Sequence, residues 1–101
     1  MQVSISIAEK IKLIRESERL TQRQMAELTG IPHGSFFQYE QGRSKPGLEA
    51  TIKIFQHPQF RKYRDWFMFD EINPEAGQIA PVLAHFGQDS TTSPQSGQKN
   101  G

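Results

Sequence analysis

His33, His57 and His85 are the side chains in this sequence best suited to hold a metal, but they lie 24 and 28 residues apart. That spacing puts them on different elements, and without a cysteine there is neither a thiolate zinc site nor a disulfide framework. No nucleophile with a base, carboxylate pair or ligand cluster has a recognisable spacing, so the residues predict no enzyme, no metal and no cofactor. The chemistry that does concentrate is cationic and polar. Residues 1–64 carry 11 Lys/Arg against 6 Asp/Glu, whereas residues 65–101 carry Lys99 against five acidic side chains. A basic first half with a tight basic turn, Arg43-Ser44-Lys45-Pro46-Gly47, suits a polyanionic partner, and the acidic second half suits protein contacts or plain solvation.

The elements that would position this chemistry are short helices. Ser6 with Glu9 is a capping box ahead of Ile7, Ile11 and Ile14, which predicts a helix from Ile7 to Ser17. Thr21 with Gln24 repeats the pattern, and Leu20 with Met25 has the spacing of a hydrophobic staple, so a second helix starts at Gln22 and ends at Thr29-Gly30. Pro32 suits the first turn of a third helix, which continues through Phe36 and Tyr39 to Gln41 and stops at Gly42. Residues 22–41 thus fit a helix-turn-helix, whose second helix is offered to DNA. Met25, Ile31, Phe36 and Tyr39 would lock the pair, Ala26 is small where the helices pass closely, and Gly30 permits the sharp turn. A plain helical hairpin needs neither that alanine nor that glycine.

Beyond the basic turn, Leu48, Ile52 and Phe55 mark one face of a fourth helix that ends at His57-Pro58. A fifth segment from Gln59 to Asp70 places Phe60, Tyr63 and Phe67 on its core face, leaving some of Trp66, Met68 and Phe69 for an interface. Residues 78–86 read as a short extended segment with apolar content, and the Gly/Ser/Thr/Gln/Asn composition after Gly87 predicts disorder. The fold expected is all-α: a five-helix, bundle-like helix-turn-helix DNA-binding domain over residues 1–70, a short extended or β segment serving dimerisation over 71–87, and a flexible tail over 88–101. The longest apolar run, Trp66 to Phe69, is far below the roughly 20 residues that span a bilayer, and no signal peptide is legible. A cytoplasmic location is expected.

The stretch Leu20-Thr-Gln-Arg-Gln-Met-Ala-Glu-Leu-Thr-Gly-Ile31, followed by Phe36-Phe-Gln-Tyr-Glu-Gln-Gly-Arg-Ser-Lys-Pro46, resembles the Cro/C1-type (XRE) helix-turn-helix family. The remainder, including Trp66-Phe67-Met68 and the segments Gly77 to Pro81, Ala84 to Gln88 and Thr91 to Pro94, resembles the C immunity repressors of peduovirus-type temperate coliphages. That resemblance implies a transcriptional repressor that maintains lysogeny by occupying the early lytic promoter operator as a homodimer, in the cytoplasm of a bacterial host. It places His33, Gly34, Ser35, Phe37 and Gln38 on the DNA-reading face of the third helix. There the Gln38 amide suits adenine N6 and N7, His33 suits guanine N7 or a phosphate, and Phe37 suits a thymine methyl or sugar. Pro32 stands where the family has a polar cap, and Gly34 offers no side chain.

The same resemblance makes Gln22 a phosphate contact, which Arg23 can join; Arg43, Ser44 and Lys45 are spaced to bond the DNA backbone across the groove. It also makes Glu40 a brace within the fold, with Arg15 as its candidate partner. Trp66, Phe69, Ile79, Val82, Leu83 and Phe86 are the candidate dimer residues, and no membrane or small-molecule partner is expected. Ala76-Gly77 is a dipeptide like those cut in self-cleaving phage repressors, but the 24 residues after it hold a single lysine, Lys99, and no serine-lysine peptidase fits there. The rival reading is a helix-turn-helix antitoxin or adaptor that works by binding a partner protein through its acidic, aromatic half.

Overall fold

Local capping chemistry delimits the first helices of the computed structural model, which describes residues 5–84. Ser6 Oγ accepts from the Glu9 amide at 3.1 Å and opens α1, Ile7–Ser17. Thr21 and Gln24 exchange both bonds of a capping box, at 3.1 and 2.9 Å, and open α2, Gln22–Thr29. Pro32 precedes α3, His33–Gln41, without a side-chain cap. Gly30 and Gly42 close α2 and α3 at φ of 77° and 76°, a region that a Cβ penalises. α1 ends differently: Arg19 takes φ 60°, and the amides of Arg19 and Leu20 return to Glu16 and Arg15, so a non-glycine residue makes the left-handed stop. These boundaries agree with the sequence expectation.

α4, Leu48–Phe55, has the expected limits but a different buried face. Leu48 and Ile52 are 76% and 50% exposed, while Ile54 and Phe55 are buried. The helix meets the core through Ala50, Ile54 and Phe55, with the Phe55 and Phe67 rings 4.9 Å apart, and turns Leu48 and Ile52 outward. The single fifth helix expected over 59–70 is divided. A 3-10 turn at Arg61–Tyr63 leads into a six-residue α5, Arg64–Phe69. The break follows the His57-Pro58-Gln59 turn, in which His57 O accepts from the amides of Phe60 and Arg61 and His57 Nδ1 from that of Gln59.

Phe60, Tyr63 and Phe67 are buried as expected, and so is Trp66, at 4% exposure. Two consecutive aromatics are both covered because α5 is enclosed from two sides. Phe55 packs on Phe67, and the buried Lys10 of α1 lies 5.4 Å from the Trp66 ring. Lys10 Nζ also donates to the Phe67 carbonyl at 3.0 Å and pairs with Asp70 at 2.8 Å, closing the C-terminal end of α5. Trp66 is therefore a core residue, and its assignment to a dimer interface is corrected.

Residues 71–84 fold back onto this body. After a 3-10 turn at Pro74–Ala76, Gln78 pairs with Asn73 in an isolated antiparallel bridge. Its buried amide accepts from the Asp65 N–H and donates to the Arg61 carbonyl. The Ile79 amide donates to Lys62 O, the Leu83 amide to Ser17 Oγ, and Pro81 and Ala84 are buried. The extended segment expected over 78–86 is thus shorter than its sequence pattern, since residues 82–84 turn helical where Ala84 packs into the core. Phe86 and the tail expected over 88–101 lie outside the described residues. Among the described residues, no helix is long and apolar enough to cross a membrane.

Glu18, at the end of α1, joins the two halves of the core. Its carboxylate accepts from Tyr63 Oη and from Gln59 Nε2, and pairs with Lys62 at 3.0 Å. Burial alone would raise its pKa, but these bonds outweigh it and hold Glu18 below its ordinary 4.5. Burial, then the neighbouring carboxylate, pushes the Tyr63 hydroxyl well above its ordinary 10. A raised tyrosine contributes stability that is complete below pH 10 and lost as pH climbs toward its folded value; Glu18 contributes stability lost below pH 4.5. Thermal melts across this range should show Tm falling beyond pH 10 in the wild type and less steeply in Tyr63→Phe. Equal alkaline slopes would contradict the assignment.

Candidate nucleic-acid interface

α3 is held between α1 and α2 by its inner residues. Phe36 is fully buried beside Met25, Ala26 and Ile31, and Tyr39 packs partly buried against the same cluster. Consecutive helical residues diverge by about 100°, so burying Phe36 turns Phe37 outward, and Phe37 is 38% exposed. His33 and Gly34 are exposed, and Ser35 and Gln38 half-buried, on the outer part of the same helix. The five residues named for base contact therefore share one element: Gly34, Phe37 and Gln38 fall within one outward sector of about 100°, and His33 and Ser35 flank it on opposite sides. Gln41, missed by the sequence reading, is exposed three residues beyond Gln38, and helical spacing alone would have found it.

The charge that orients α3 lies behind this face. Glu40 accepts from Arg15 Nε at 2.6 Å and Nη2 at 3.1 Å, a bidentate pair, and its side chain is 3% exposed. Arg15 Nη1 bonds the Leu20 carbonyl at 2.8 Å, and Gln22 Nε2 donates to Glu40 at 3.1 Å. One carboxylate thus ties α3 to α1 and to the first residue of α2. The bond also orients the Gln22 amide, because a carboxylate only accepts and Nε2 must face it, leaving the second N–H of Nε2 and the oxygen free to point elsewhere.

Arg23 is exposed one residue further along α2. Beyond α3, the amides of Arg43 and Ser44 both reach Gln38 O, which curls the turn back so that Arg43, Ser44 and Lys45 project, all exposed. Shallow grooves of about 300 and 290 Å³ flank it, with Tyr39 lining both. Among the described residues Lys10, Arg15, Lys53, Lys62 and Arg64 pair with carboxylates, Arg61 bonds backbone carbonyls, and Lys12, Arg19, Arg23, Arg43 and Lys45 pair with no carboxylate. Arg19 is exposed, as arginine usually is, and it is the left-handed backbone presenting it that the sequence does not announce.

Two short helices locked across a Gly30 turn, with the outer face of the second bare and unpaired cations around it, define a helix-turn-helix DNA-binding protein. A helix-turn-helix family model matches residues 11–58. The chain is 57% identical over 99 residues to Repressor protein C of Escherichia phage P2, an alignment covering 98% of this chain and 100% of that relative. It belongs to the phage repressor C family, DNA-binding regulators rather than enzymes.

Removing one partner of the pair behind α3 tests its structural weight. Glu40→Ala leaves the Arg15 guanidinium enclosed without its carboxylate and should cost about 3–5 kcal/mol in denaturant unfolding. The double substitution Arg15→Met with Glu40→Leu removes both charges and should recover most of that loss. A Glu40→Ala protein as stable as the wild type would show that the pair does not brace the fold.

Proposed function

We propose that this repressor acts as a homodimer, holding a temperate phage silent by covering operator DNA at the early lytic promoter in the cytoplasm of its bacterial host. The observation that carries the reading is the outward sector of α3, braced from behind by Arg15 and Glu40; the name of the phage P2 relative supports it. His33, Gly34, Ser35, Phe37 and Gln38 read base edges, and Gln22, Arg23, Arg43, Ser44 and Lys45 bond the DNA backbone. Residues 1–70 supply DNA binding and 71–87 serve dimerisation. No small-molecule ligand enters the scheme.

One helix from a domain this small covers too little DNA for tight selective binding, which is why two copies are invoked. Phe69, Ile79 and Val82 are 63%, 39% and 55% exposed, and Leu83 is half-buried; these side chains supply the interface, with Phe86 beside them in sequence. Since Pro81 and Ala84 belong to the core, point substitutions separate dimerisation from folding better than a truncation at residue 78.

The test uses a duplex selected from a random DNA pool by the full-length protein. Gln38→Ala should lose about 1–3 kcal/mol on it and relax preference at one position, whereas Arg43→Ala should weaken selected and random DNA alike and flatten the salt dependence. Phe69→Asp with Val82→Asp should sediment as a folded monomer with weak, salt-sensitive binding. Equal losses for Gln38→Ala on selected and random DNA would contradict base reading by α3. A wild-type monomer that co-purifies with a different protein would favour an adaptor.

A further inference from the structure

Gly34 is the second residue of α3, and nothing among the described residues requires a glycine there. Gly30 and Gly42 hold left-handed conformations, but Gly34 is an ordinary helical residue. Beyond its chain neighbours and the backbone of α3 itself, a Cβ built on it meets no atom within 4 Å, so packing does not exclude a side chain either. Glycine is among the least favourable residues in a helix, and alanine would serve the fold at least as well. The remaining constraint is external: a molecule that must come close to the helix surface.

The neighbours of that bare position describe the molecule. Phe37 lies three residues on and Gln38 four, the spacings that bring side chains over one another on a helix. Helical side chains lean toward the N-terminus, so the exposed Phe37 ring projects toward the turn that contains Gly34. The N–H groups of the uncapped first turn point along the helix axis, so what faces sideways at Gly34 is its Cα methylene, and that methylene beside an aromatic ring makes an apolar notch. Of the groups that base pairs display in the major groove, the thymine 5-methyl is the apolar one; the others are hydrogen-bond donors or acceptors.

We infer that Gly34 and Phe37 form a notch on α3 that receives a thymine 5-methyl group, making Gly34 a specificity-determining residue through its lack of a side chain. The inference rests on α3 being the reading helix and adds the base class read at its first turn. A Cβ at residue 34 occupies the volume the methyl needs, so discrimination here arises from space as much as from attraction.

The probe is the duplex selected from a random pool by the full-length wild-type chain, with each thymine replaced in turn by deoxyuridine. At one thymine per half-site the wild type should lose about fourfold in affinity, the worth of one buried methyl. Gly34→Ala should bind the unmodified duplex roughly tenfold more weakly, as overpacking a close contact does, and show no further loss at that thymine. Its Tm should equal or exceed that of the wild type, since alanine suits a helix better than glycine. Undiminished binding of the selected duplex by Gly34→Ala, a lowered Tm, or identical deoxyuridine losses in both proteins would overturn the notch. Gln38→Ala separates the two levels. If it loses selective binding while Gly34→Ala does not, the notch alone fails; if neither loses it, α3 is not the reading helix.

Discussion

The Glu40 carboxylate is the point from which the geometry of the candidate interface is set. Charges this deep gain little net stability, because desolvation offsets most of their attraction, so the main contribution of the Arg15–Glu40 pair is directional. The planar fork of Arg15 fixes the carboxylate in two bonds, its third bond fixes the turn before α2, and Gln22 fixes the start of α2 to the same group. Apolar packing of Phe36 against Met25 would tolerate a range of crossing angles. The ion-pair network selects one, and with it the direction in which Phe37 and Gln38 point.

A second set of buried polar contacts carries that rigidity to the far side of the molecule. Lys10 closes α5, Glu18 gathers Tyr63, Lys62 and Gln59, and Gln78 ties the returning segment to both the 3-10 turn and α5. Each is a long-range bond that satisfies a group which would otherwise be costly to bury. These contacts also take Lys10 and Lys62 out of the pool of free cations. The basic character of the first half of the chain is consequently expressed at Arg23, Arg43 and Lys45, around α3, more than its overall count suggests.

What was legible in the sequence was local. Ser6, Thr21, Gly30 and Gly42 act within a few residues of themselves, and they placed α1, α2 and α3 correctly. The opposed fates of Phe36 and Phe37 followed from helical periodicity, and the Arg15–Glu40 pair from family resemblance. What escaped depended on distant partners. Trp66 looked like a surplus aromatic because Lys10, which covers it, lies 56 residues earlier. Leu48 and Ile52 share an apolar spacing with Phe55, but the core meets Ala50, Ile54 and Phe55, so it is the neighbouring face of α4 that is buried. The left-handed backbone of Arg19 and the burial of Gln78 carry no composition signal, since non-glycine residues seldom take positive φ and glutamine is seldom buried.

The central claim is that the outward sector of α3, with the turn after it, is the surface that DNA occupies. Titrating the ¹⁵N-labelled full-length protein with the duplex it selects from a random pool addresses this residue by residue through amide shifts. The account predicts the largest changes at His33, Gly34, Phe37, Gln38 and Arg43 through Lys45, with Gln22 and Arg23 following and the amides of α4 little affected. Shifts confined to α5 and residues 79–83, with α3 unchanged, would contradict it.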